Sequence, residues 1–113
     1  MPRLPRRDQF RRHVAKLRAA VPACAPVSVR RESPSHGRLA ECALDGSGRN
    51  RRFVIRIRPE ARFNEALDSL IHEWAHALSW TDGHPSLTDH DEMWGVAFSR
   101  CYRVIFPDEP VEG

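Results

Sequence analysis

Between Asn64 and Trp80 the chain carries a pattern that only a helix can serve. Leu67, Leu70, Ile71, Trp74 and Leu78 fall on one apolar stripe at helical spacing. On the adjoining stripe lie His72, Glu73 and His76, the ionisable members of His72-Glu-Trp-Ala-His76. A helix that buries one side and keeps such a strip beside it suits the wall of a cleft. Two histidines one turn apart can grip a single metal ion, and Glu73 can reach a water on that ion without ligating it. Six histidines and eight glutamates in 113 residues would give such a match by chance roughly two times in a hundred. The arrangement points to zinc and hydrolysis.

The segments around this helix are short and distinct. The first seven residues hold two prolines and three arginines and read as a flexible basic arm, leaving residues 8–113 as one domain. Asp8 is placed to cap a first helix whose Phe10, Val14, Leu17 and Val21 keep helical spacing; Pro22 and Pro26 end it. Strands are expected at Val27–Arg30, at 39–44 and at Arg52–Arg58. In the last of these Phe53, Ile55 and Ile57 share one face, and Arg52, Arg56 and Arg58 share the other with Val54. Turn residues (Ser33-Pro-Ser-His-Gly, Asp45-Gly-Ser-Gly) separate them. Asn64 is a good N-cap for the motif helix, residues 80–88 form a loop, and a last helix runs from about Asp89 to Phe106 before Pro107. The fold class is α+β, with a small antiparallel sheet.

A chain of this size supports one core. No apolar run reaches membrane-spanning length, and no apolar segment follows the N-terminal arginines as in a secretory signal. A cytoplasmic protein, monomeric and without membrane contact, is the expectation. Cys24, Cys42 and Cys101 are far apart and odd in number, which argues against a disulfide framework or a zinc ribbon and favours buried small hydrophobes. Any metal site therefore draws on His and carboxylates.

A catalytic zinc commonly takes three protein ligands and a water. The third ligand is sought among His84, Asp89, His90, Asp91 and Glu92. His84 precedes Pro85 in a loop, a poor foundation for fixed geometry. His90 leads a stripe of Trp94, Ala97, Phe98, Cys101 and Ile105 and so points inward; it is preferred, with Glu92 second. Asp89 and Asp91 can cap the last helix or orient an imidazole. Trp74 and Trp94 read as core residues.

His72-Glu-Trp-Ala-His76 followed, after thirteen residues, by His90-Asp-Glu-Met-Trp94 resembles the SprT-like zinc metalloproteases, whose pattern is H-E-x-x-H, a loop, then His with an aromatic residue four positions on. The resemblance implies a minimal zincin fold, Zn²⁺ on His72, His76 and His90, and Glu73 as the catalytic residue of a peptidase. Glu73 would take a proton from the zinc-bound water and pass it to the leaving amine. A peptide substrate would add to an exposed sheet edge, for which the strand at 52–58 is the nominee. Tyr102 and His84 are the candidates for stabilising the oxyanion.

Charge supports a rival reading. Residues 1–31 carry nine Arg or Lys against Asp8 alone, whereas residues 63–113 carry two Arg against ten Asp or Glu. Such asymmetry fits either internal complementarity or a basic face for nucleic acid. The alternative is a nucleic-acid-binding module whose zinc is structural; a peptidase held near DNA would combine the two.

Overall fold

The computed structural model describes residues 5–107. Helix α1 (Arg6–Ala20) leads to strand β1 (Val27–Arg30), then β2 (Ala40–Asp45), β3 (Arg52–Ile57), α2 (Phe63–Ser79) and α3 (Glu92–Ile105). The expected order of helix, three strands, helix, loop and helix is present, and the class is α+β. Several boundaries differ. α1 starts at Arg6, so Arg6 and Arg7 belong to the helix and not to an arm; residues 1–4 of that expected arm lie outside the described residues. Pro5 takes the N-cap position and Asp8 sits inside the first turn, where its charge still favours the helix dipole. Likewise Arg62, not Asn64, precedes α2.

The sheet is mixed rather than antiparallel, in the order β1-β3-β2. β2 runs antiparallel to β3, with Cys42 opposite Ile55, whereas β1 runs parallel to β3, with Val29 opposite Ile55. β3 is thus the central strand, and the edge nominated for substrate pairing is occupied on both sides. The physical reason lies in its composition: Phe53, Val54 and Ile55 are all fully buried, the run of apolar residues a strand needs when both its neighbours and both its faces are covered. Val54 interrupts the polar face for that reason. Two of the arginines sharing its face are engaged: Arg56 pairs with Glu32 at 2.9 Å and Glu41 at 3.7 Å, and Arg58 donates to backbone carbonyls.

α2 is the centre of the molecule. It packs against β2, β3, α1 and α3, and Ala66, Leu70, Trp74 and Ala77 are fully buried. Fully burying each large side chain stabilises the fold by roughly 1.5–3 kcal/mol. Trp74 adds a directional tie: its indole N–H donates to the Val21 carbonyl at 2.9 Å, fixing the C-terminal end of α1 against α2. Cys101 lies in the same core, Cys42 is half-buried, and Cys24 is exposed, contrary to the expectation that all three would be buried. No helix is long and apolar enough to cross a membrane among the described residues.

Candidate metal centre and cleft

His72 and His76 project from α2 as their four-residue spacing requires. His90 reaches them from the segment before α3, not from the helix itself. α3 begins at Glu92, and Asp91 is its N-cap, accepting from the Trp94 N–H at 3.0 Å. His90 is itself exposed, and it meets the other two because the loop aims it there; the buried helical stripe expected to carry it begins only at Trp94. Ser86 shapes that loop, its hydroxyl accepting from the backbone N–H groups of Thr88 at 3.2 Å and Asp89 at 2.9 Å.

The three imidazoles converge through one nitrogen each. His72 Nε2 lies 3.3 Å from His76 Nε2 and 3.0 Å from His90 Nε2. Nitrogens bound to zinc at 2.0–2.1 Å in tetrahedral geometry sit roughly 3.3 Å from one another. These residues therefore fit a divalent ion, and His72, His76 and His90 could hold one. Their ionisation fits too. Burial first, then the other imidazoles, lowers the His76 pKa to about 4, and burial and His90 lower that of His72. Both are neutral at pH 7, the form that ligates. The buried Nδ1 of His76 has no hydrogen-bond partner among the described residues, although a metal-binding imidazole ordinarily donates from its other nitrogen to a carboxylate or carbonyl.

Trp94 backs the cluster. Its ring centroid lies 5.0, 5.6 and 4.6 Å from those of His72, His76 and His90, and its indole N–H donates to the His72 carbonyl at 3.3 Å. It is half-buried and serves the site as much as the core. The other candidates for third ligand stand outside the His72, His76 and His90 group. His84 Nε2 is 2.6 Å from Asp91 Oδ2, so Asp91 caps α3 with one oxygen and holds His84 with the other. Glu92 is exposed in the first turn of α3. Asp89 and Asp91 raise the His76 pKa through space, but neither carboxylate hydrogen-bonds a ligand imidazole among the described residues.

No family model, no curated protein and no solved structure matches this chain.

The cluster opens onto a cleft of about 600 Å³. One wall is α2, the second is the segment 87–90, and the third is β2 with the residues leading into it, from Arg38 to Cys42. Glu73 lies in this cleft, 8% exposed. Burial raises its pKa to about 7, against the pull of the Arg38 guanidinium and with a further push from Glu41. Cys42 is also raised, by burial first and then by Glu73 and Glu41, and is a neutral thiol at pH 7. Sequence reasoning missed this third wall entirely: Arg38, Glu41 and Cys42 are far from the motif and carry no spacing signal. Arg58 holds the segment, donating to the carbonyls of Gly37 at 2.7 Å and Arg38 at 3.1 Å. Tyr102, a candidate oxyanion donor, stands 47% exposed on the outer side of α3 and lines no part of the cleft.

Proposed function

We propose that this chain is a zinc-dependent metallopeptidase, similar in its site to the SprT-like enzymes, with a zincin-like arrangement of helix, edge strand and third ligand. The observation carrying this reading is the convergence of three imidazoles, His72 and His76 among them held neutral, beside a buried carboxylate titrating near neutrality. Zinc bound to His72, His76 and His90 would supply a Lewis acid and a water of lowered pKa. Glu73 takes the proton from a water in the cleft and delivers it to the leaving amine; a base with a pKa near the working pH does both. Its buried setting keeps bulk water from competing for that proton.

β2, not β3, is the edge strand beside the cleft, since its far side pairs with no strand among the described residues. An extended peptide adds to β2 with its backbone N–H and C=O groups, which brings its carbonyls past Glu73. Among the described residues Arg38 is the only arginine or lysine lining the cleft, and it stabilises charge developing on the scissile carbonyl. Glu73→Gln is the direct test: the variant binds metal as the parent does and fails to cleave unfolded casein or a mixed peptide library. A variant that cleaves as fast as the parent removes Glu73 from the chemistry.

One observation favours the second reading, a nucleic-acid-binding module with a structural zinc. Arg7, Arg11, Arg18 and Arg31 line a cavity of about 550 Å³ between α1 and β1, and among the described residues no carboxylate lines it. Arg31 is held by the carbonyls of Arg58, Pro59 and Ala61 and Arg18 by that of Val27, so two of the four cationic groups are fixed in place. Binding there depends on phosphate neutralisation, and affinity for a DNA oligonucleotide falls steeply with salt. Affinity that is flat between low and physiological salt contradicts that reading.

A further inference from the structure

Among the described residues, the outward side of α3 is the one uncovered helix face whose chemistry is complementary to itself. Along its crest run Glu92, Val96, Ser99 and Arg103, all exposed, with Val96 59% exposed at the middle. At 100° per residue these four positions fall within about 60° of one another. Neither Glu92 nor Arg103 has an ion-pair partner among the described residues. On one flank stand Tyr102 and Phe106, their ring centroids 5.0 Å apart and both rings exposed. On the same flank is Gly95, where an added Cβ would meet nothing within 4 Å. Met93, also exposed, stands with Arg100 on the other flank.

We propose that this face docks on its own counterpart in a second copy of the chain, making a symmetric antiparallel α3–α3 pair. The crest reads acid, apolar, small, base in one direction, and its mate reads the reverse. Glu92 of one copy therefore meets Arg103 of the other at both ends of the pair, and Val96 rests on Ser99 twice. A two-fold axis brings each flank against the same flank of the mate. Tyr102 consequently lies over the partner copy's Gly95, whose missing side chain leaves room for the ring, and Met93 lies against the stem of Arg100. The offsets of these two flank contacts, to opposite sides of the crest register, correspond to helices that cross at an inclination, as packed helices do.

The size of the face sets the strength. Fourteen residues of helix span about 21 Å, and one helix pair covers less than the roughly 800 Å² per partner of a standard stable interface. The pair is therefore weak, with a dissociation constant on the order of 10 µM. It replaces the monomer expected from the sequence by a concentration-dependent dimer. The cleft lies on the other side of α3, so association leaves the histidine cluster open and does not depend on the peptidase reading.

Sedimentation velocity of the full chain between about 1 and 200 µM tests this. The expected weight-average mass rises from 13.0 kDa toward twice that value with concentration. Glu92→Arg and Arg103→Glu, both at exposed positions and checked for native circular dichroism, each hold the protein at the monomer mass. The double exchange Glu92→Arg with Arg103→Glu restores the rise, which neither a destabilised fold nor general stickiness would do. A parent chain that stays at monomer mass throughout overturns the proposal. So does a double variant no more associated than the single ones, and so does a mass rise that survives both single reversals, which would place the contact on another face.

Discussion

Glu73→Gln should make the metal-free protein more stable, and by an amount that depends on pH. Burial raises the Glu73 pKa from 4.5 in the unfolded chain to about 7 in the folded one. Between those values the folded state holds a proton that the unfolded state has released. Stability therefore declines as pH rises through this window, and above pH 7 the full cost of the buried charge is present. One pKa unit corresponds to 1.36 kcal/mol, so the cost at pH 8 is about 3 kcal/mol. Glutamine carries no charge and avoids it. At pH 4.5 the carboxyl is largely protonated in the folded state, and parent and variant should agree within a few tenths of a kcal/mol. His72 and His76, whose folded pKa values are depressed, act in the opposite sense: they cost stability as pH falls below 6.5. They are common to both proteins, so they cancel in the difference. Chemical denaturation with chelator at pH 4.5, 6 and 8 gives the comparison, and for a domain of this length the pH 8 gap raises the melting temperature on the order of 10 °C. Loading with zinc should shrink the gap, because a nearby cation favours the carboxylate. A variant equal to or less stable than the parent at pH 8 would refute the idea that the fold holds Glu73 at a cost for the sake of chemistry.

Other outcomes follow from the same geometry. Asp91→Ala removes the α3 cap and costs about 1 kcal/mol in denaturant unfolding; by freeing His84 and the loop that carries His90, it should also weaken zinc binding about tenfold in calorimetry. Gly46→Ala places a Cβ 2.6 Å from the Asn50 carbonyl oxygen at a φ of +77°, so the β2–β3 connection should lose about 1–3 kcal/mol, read as a lower urea midpoint with unchanged slope. Arg38→Ala should leave metal content untouched and lower turnover of any substrate by roughly 10²-fold; an unchanged rate would remove Arg38 from the reaction.

Much of the site was legible because helical spacing is local. Four residues separate His72 from His76 whatever the rest of the chain does, and the apolar stripe on α2 decides which side turns inward. Helical phase does not account for the third histidine. His90 lies before the Asp91 cap, where helical phase has no meaning, and Ser86 and the loop direct it instead. Strand pairing was harder for a physical reason. Alternation within β3 shows which residues face the core, but not which strand lies alongside. The one available signal was Val54, an apolar residue on the arginine face, which marks a strand buried on both sides and so a central one. That same misplacement hid the cleft wall, because recognising Arg38, Glu41 and Cys42 as neighbours of the motif requires knowing that β2 is the edge. The place of Trp94 in the stripe predicts a core residue, yet its ring packs against all three imidazoles.

Metal content decides the central claim. Elemental analysis of protein purified without chelator, then dialysed against a matched zinc buffer, should find about one zinc per chain in the parent. It should find a loss of affinity of at least ~100-fold in His90→Ala, since outer-shell changes alone cost 10–100-fold. A parent with no bound metal, or a His90→Ala variant that keeps full zinc at equal affinity, would contradict the assignment of His72, His76 and His90 as a single ligand set.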